Sequence, residues 1–193
     1  MGKSITKEEI AQFTIEEFNG RIFEIQTLEE TEEAVEYLSK FKFIGFDTET
    51  RPSYRKGKLN RVALLQLATD DVCFLFRLNI IGLPPVVIQL LSDPKIQKIG
   101  LSLNDDFRSL SRRMRFTPNN FVDLQKIVAY HNIEDIGLQK IYALLFHKRI
   151  SKNQRLTNWE AEKLTEPQKK YAALDAWACL KIYEKLCLVK NSI

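Results

Sequence analysis

Three short apolar runs constrain this chain most: Phe43-Ile-Gly-Phe-Asp-Thr-Glu49, Val62-Ala-Leu-Leu-Gln-Leu-Ala68 and Val72-Cys-Phe-Leu-Phe76. Turn-rich or charged segments separate them, so they read as strands rather than as one buried helix. Only Thr69, Asp70 and Asp71 part the last two, and so tight a connection predicts an antiparallel pair. Arg21 to Ile25 reads as an earlier strand and Ile96 to Leu101 as a later one. Helical patterns surround them. Thr6-Lys-Glu-Glu9 has the form of a capping box, and Thr27 caps an acidic amphipathic helix to about Leu38 with Ala34, Val35 and Leu38 on its apolar side. Further helices are predicted over Pro85 to Leu91, about Asp105 to Arg113, Leu124 to Tyr130, Leu138 to Phe146 and Pro167 to Val189. Pro167 falls in the first turn of the last one, where proline is tolerated. Strands first and helices after, with crossovers, give an α/β class with a mixed sheet flanked by helices. At 193 residues with no repeat and no linker, a single domain over 1–193 is expected, its core at about 41–186 and a short helical extension before it.

Composition excludes several classes. The closest approach to a membrane span, Ile80 to Leu91, is broken by Pro84 and Pro85 and falls short of the roughly 18 apolar residues required. The first residues show no apolar run of the secretory type. Cys73, Cys179 and Cys187 are too scattered for a disulfide framework or a zinc ribbon, which points to reduced core thiols and a cytoplasmic location. A net charge of +4 is compatible with a nucleic-acid partner.

Three patterns carry chemistry. Asp47-Thr48-Glu49 closes an apolar strand, and residues two apart leave a strand on the same face. Two carboxylates emerging together repel unless a cation lies between them, and oxygen ligands suit magnesium or manganese. Asn104-Asp105-Asp106-Phe107 follows the strand ending at Leu101, where Asn104 or Asp105 would make an ordinary helix N-cap. Asp106 precedes Leu110 by four residues and so lies over the edge of the core. Tyr171-Ala-Ala-Leu-Asp175-Ala-Trp177 places a phenol and a carboxylate on one helix face, about a turn apart, with small residues beside them.

In this order the three patterns resemble the motifs of the DEDD exonuclease superfamily, and Tyr171 four before Asp175 marks its DEDDy branch, the group of ribonuclease D and the Werner helicase exonuclease domain. Arg61-Val-Ala-Leu-Leu-Gln-Leu-Ala68 and Leu156-Thr-Asn-Trp159 add to the likeness. The resemblance implies a ribonuclease-H-like three-layer fold and 3′-5′ removal of nucleotides from DNA or RNA, from a single-stranded or recessed 3′ end, with two divalent metal ions, Mg2+ or Mn2+. By motif position Asp47, Glu49, Asp106 and Asp175 would bind metal, and Tyr171 would orient or help deprotonate the attacking water. Asp105 and Asp106 both fall within reach of the second motif; Asp106 is preferred because an apolar residue follows at once and a leucine four later.

The stretch from Thr50 to Asp70 carries Arg51, Arg55, Lys56, Lys58 and Arg61 with Tyr54 interleaved and no acid before Asp70. A basic loop beside an acidic metal site suits a polyanionic substrate. Arg51, Arg55, Lys56, Arg61, Gln66 and Arg155 are the candidate substrate contacts, and Lys148, Arg149, Lys152 and Arg155 form a second basic cluster ahead of Trp159, which is expected to pack in the core. His131 and His147 form no zinc-like pair and read as helix-end residues. The alternative readings are a catalytically silent nucleic-acid-binding module of the same fold and a small-molecule phosphohydrolase.

Overall fold

The computed structural model describes residues 2–53 and 59–190. Six strands form one sheet in the order β1-β4-β3-β2-β5-β6: β1 (Arg21–Ile25), β2 (Phe43–Thr50), β3 (Val62–Ala68), β4 (Val72–Phe76), β5 (Gln97–Gly100) and β6 (Phe121–Asp123). The central β2, β3 and β4 run antiparallel to their neighbours in sequence, while β1 lies parallel to β4 and β5 and β6 lie parallel to β2. The short Asp70-Asp71 connection makes the antiparallel turn expected of it.

Every residue of β3 and β4 is buried because helices cover both faces of the sheet. Alternation divides each strand between two cores. Leu64, Ala68, Cys73, Leu75 and Ile99 face a layer of α6 (Leu124–Ala129), α7 (Leu138–Phe146) and α8 (Glu166–Lys190). Ile44, Phe46, Leu65, Leu67 and Phe74 face α2 (Leu28–Leu38), α4 (Pro85–Ser92) and α5 (Leu103–Ser111). Each fully buried Leu or Phe contributes about 1.5–3 kcal/mol of transfer free energy, so the two cores together stiffen the sheet that carries the site.

The N-terminal residues pack on this body. α1 (Lys7–Ala11) closes with the Thr6–Glu9 capping box, and Ile5 and Ile10 cluster with Ala143 of α7. Glu16 accepts hydrogen bonds from the Tyr142 hydroxyl at 2.8 Å and from Lys148 Nζ at 2.9 Å.

Three elements depart from the sequence reading. β6 and the four-residue α3 (Leu78–Ile81) were not expected, being too short to show a period. α5 begins at Leu103 rather than Asp105, and neither Asn104 nor Asp105 caps it. The cap comes from 20 residues away. Asp123 accepts from the Ser102 and Leu103 amides at 3.0 and 3.2 Å, and also from the Gln125 amide at 3.0 Å, so one carboxylate satisfies the starts of both α5 and α6. Ser102, in the left-handed region at φ 59°, turns the chain out of β5 to permit this.

Two features fix α8. In the middle of its length the Ala176 carbonyl rests against Gly45 of β2, where a Cβ would collide with it. At its first turn an ionic network, buried at Arg77 and open to water at Glu166, holds it. Arg77, wholly inaccessible, pairs with Glu24 of β1 and donates to the Ala161 carbonyl; Glu24 also pairs with Lys169 at 3.1 Å, and Lys169 with Glu166 at 3.2 Å. Among the described residues no helix is long and apolar enough to cross a membrane.

Candidate active site

The contact between Gly45 and Ala176 decides where the acidic residues meet. Asp47 and Glu49 leave β2 on the same face as Gly45, two and four residues further along. Asp175 precedes the residue seated on Gly45, so the helix delivers its carboxylate to that face. Asp47, Glu49 and Asp175 each offer an oxygen within 4.8 Å of the other two. Glu49 and Asp175 are buried, and Asp175 Oδ1 has no hydrogen-bond partner.

Tyr171 stands one turn before Asp175, 8% exposed, and its hydroxyl hydrogen-bonds the Asp175 carboxylate. The fully buried Trp159 ring backs it in a stacked arrangement, 6.0 Å between centroids, and so fixes the phenol; this is the core packing expected of Trp159.

Asp106 arrives from the other side of β2. It accepts a short hydrogen bond from the Thr48 hydroxyl, on the face opposite Asp47 and Glu49. Its charge still acts on both of them, although it is not one of the three converging groups. Asp105 faces water, 86% exposed, and pairs with Arg108 at 3.6 Å. Of the two candidates in this motif, Asp106 is the one whose charge bears on Asp47 and Glu49.

Four carboxyl groups held this closely disfavour their own ionisation. Burial first, then the charges of Asp175, Glu49 and Asp106, push Asp47 well above the usual carboxylate range. Glu49 rises through burial, then Asp175 and Asp106, with Arg155 opposing. Asp175 rises through burial, opposed by the Tyr171 hydroxyl and by Lys152. Asp106 rises through burial, opposed by the Thr48 hydrogen bond. The Tyr171 phenol is also driven upward, by burial and then by Asp175 and Glu49, so it stays protonated and acts as a hydrogen-bond donor. Such a set accommodates a positive ion readily. Hard oxygen donors within 4.8 Å of one another and an orphaned carboxylate oxygen fit a divalent cation of the magnesium or manganese type.

The cluster opens into a cavity of about 360 Å³ whose lining includes Leu101, Leu138, Gln139, Lys152 and Arg155 beside the acids and Tyr171. Arg155, a candidate substrate contact in the sequence, lines this cavity. Lys152, named there only as part of a cluster, joins it at the rim. Lys148 and Arg149 do not: Lys148 pairs with Glu16, and Arg149 Nε donates to the Phe13 carbonyl at 3.0 Å. Arg51 is half exposed and pairs with Glu160 at 3.3 Å, and Arg61 is exposed just ahead of β3. Arg55 and Lys56, with Tyr54 and Lys58, lie outside the described residues. Gln66 must be corrected as a substrate contact. It is wholly inaccessible in the middle of β3, and no ligand in the cavity can touch it. His147 ends α7 in a left-handed conformation, as a helix-end residue. Asp123 was missed altogether; its sequence signal was an acid directly before the apolar start of α6.

Comparison with known proteins agrees with this geometry. Residues 22–189 match the family model described as 3'-5' exonuclease. The chain is 35% identical over 156 residues to the bifunctional 3'-5' exonuclease/ATP-dependent helicase WRN of Mus musculus, covering 77% of this chain and 11% of that protein. It is 30% identical over 185 residues to a 3'-5' exonuclease of Arabidopsis thaliana, covering 88% of this chain and 64% of that one. This chain thus spans only part of those relatives' length. Among solved structures, Escherichia coli RNase D superposes with a TM-score of 0.79 at 24% identity, covering 89% of this chain and 45% of that one. The Aedes aegypti Nibbler EXO domain gives a TM-score of 0.77 at 20% identity, covering 92% and 91%. The family model spans most of the chain: the chain belongs to the 3'-5' exonuclease family.

Proposed function

We propose that this chain is a metal-dependent 3′-5′ exonuclease that removes nucleotides from the 3′ end of a polynucleotide, single-stranded or recessed. The observation that carries the reading is the convergence of Asp47, Glu49 and Asp175, with Asp106 beside them, on a cavity whose rim is cationic. A binding module gains nothing from mutually repelling buried carboxylates; a hydrolase that holds cations needs them.

Asp47, Glu49 and Asp175 would hold one ion, and Asp106 would contribute to holding a second. When bound, such ions supply an activated water and stabilise the leaving oxygen of a phosphodiester. The chain's own residues do the rest. Tyr171, protonated, braced by Trp159 and with its O–H turned to Asp175, offers its oxygen as an acceptor that would orient the water. Lys152 and Arg155 hold the phosphate backbone at the rim, where a polyanion would otherwise meet only acids. Arg51 and Arg61 extend that cationic surface along the strand.

The test is a time course on matched DNA and RNA strands labelled at the 5′ end, with Mg2+ or Mn2+. A ladder of progressively shorter labelled strands is expected in at least one arm, and none in EDTA. Release of the label as a mononucleotide would reverse the polarity. A shifted but uncut strand would favour the silent binding module.

A further inference from the structure

Gln66 is the one polar residue of β3, among six apolar ones. It is wholly inaccessible, and neither its Oε1 nor its Nε2 has a hydrogen-bond partner. Each such buried group costs about 1–3 kcal/mol, which a methionine or leucine filling the same space would avoid. A carboxamide at this point therefore needs a reason beyond packing.

Register supplies one. Gln66 pairs with Asp47 of β2 on one side and with Leu75 of β4 on the other. Antiparallel partners present their side chains on the same face, with Cβ atoms about 4.5–5.5 Å apart. Its same-face neighbours along β3 are Leu64 and Ala68, and α8 covers that face with Ala172, Ala173 and Ala176. Of the side chains in register with Gln66, Asp47 is the one that can accept a hydrogen bond.

We propose that Gln66 is a positioning residue for Asp47: one N–H of its carboxamide donates to the Asp47 carboxylate when that carboxylate holds a cation, and so fixes which oxygen faces the ion. This rests on the metal-site reading above. A donor standing behind a ligating group sets its orientation, and losing one typically weakens metal affinity about 10–100-fold.

The variant is Gln66→Met, similar in length and without polar atoms. Two measurements need no substrate: Mn2+ affinity by titration calorimetry, and thermal unfolding in EDTA. Mn2+ binding should weaken about 10-fold or more, while the unfolding temperature in EDTA stays at or above that of the wild type because two unpaired polar atoms are gone. Wild-type Mn2+ affinity in the variant would overturn the proposal and leave the metal site standing. A wild-type protein that binds no Mn2+ would overturn both. Should the variant fail to fold, the side-chain amide of Gln66 in the wild type gives the answer by NMR. One of its two Hε2 protons should move downfield as Mg2+ saturates, and a pair indifferent to Mg2+ would overturn the proposal.

Discussion

α8 passes two charged clusters, and they differ in a way that separates architecture from chemistry. At its first turn Glu24 and Glu166 meet Arg77 and Lys169, two anions and two cations within one network. Halfway along, Asp47, Glu49 and Asp175 meet one another, with Asp106 close by and, among the described residues, Lys152 and Arg155 as cations out at the exposed rim. The first cluster is complete within the chain and ties β1, β4 and the segment before α8 to the helix. The second, among the described residues, has its anions without a matching set of cations, so its carboxyl groups resist ionisation until positive charge arrives from elsewhere. Removing a charge should therefore have opposite consequences in the two places.

The largest effect belongs to the second cluster. Asp175→Asn should lower exonuclease turnover by about 10³-fold, the equivalent of several kcal/mol of lost charge stabilisation. Its unfolding temperature in EDTA should not fall. Arg77→Met should do the reverse. Removing Arg77 leaves Glu24 to Lys169 alone and the Ala161 carbonyl without its donor, a cost of about 1–3 kcal/mol, visible in denaturant unfolding, while turnover per folded molecule is unchanged. A variant that unfolds at wild-type denaturant concentration would remove the first cluster from the architecture. Tyr171→Phe should slow the reaction about 10²-fold and leave the Mn2+ concentration for half-maximal rate near its wild-type value; a shift in that midpoint would make Tyr171 a metal-site residue instead.

The contrast also predicts a pH dependence. In EDTA the folded-state values of Asp47, Glu49, Asp106 and Asp175 all lie above their ordinary ones. The folded protein then holds more protons than the unfolded chain, so stability falls as pH rises from about 4 past neutrality. Unfolding followed by circular dichroism across that range should show the decline, and Asp175→Asn should flatten it. A stability that climbs over the same interval would mean that the carboxyls are already compensated within the chain.

Much of this was legible in the sequence because it follows from period and spacing. β2, β3 and β4 announced themselves as apolar runs, and α7 was bounded at Leu138 and Phe146 by its pattern. Asp47 with Glu49, and Tyr171 with Asp175, were readable as pairs because strand and helix periods fix their faces. What escaped depended on residues distant in sequence. The start of α5 was misplaced because its cap, Asp123, belongs to another strand end. β6 spans three residues held by pairing with β5 rather than by any pattern of its own. Gln66 read as a substrate contact because the family resemblance puts it on a strand near the site, and only the helix layer above β3 shows that it is sealed in. What separates Asp106 from Asp105 in the structure is the Thr48 hydroxyl, a contact across 58 positions that spacing alone does not show.

The cation requirement of the second cluster can be measured without substrate, by thermal unfolding of the wild type and of Asp47→Asn in EDTA and in Mn2+. At about 100 times its dissociation constant, Mn2+ should stabilise the wild type by about 2.7 kcal/mol, an increase of roughly 5–10 °C. Asp47→Asn should unfold at or above the wild-type temperature in EDTA and gain little from Mn2+. A wild-type curve that ignores Mn2+, with Asp47→Asn unfolding earlier in EDTA, would contradict a cation site built on these carboxylates.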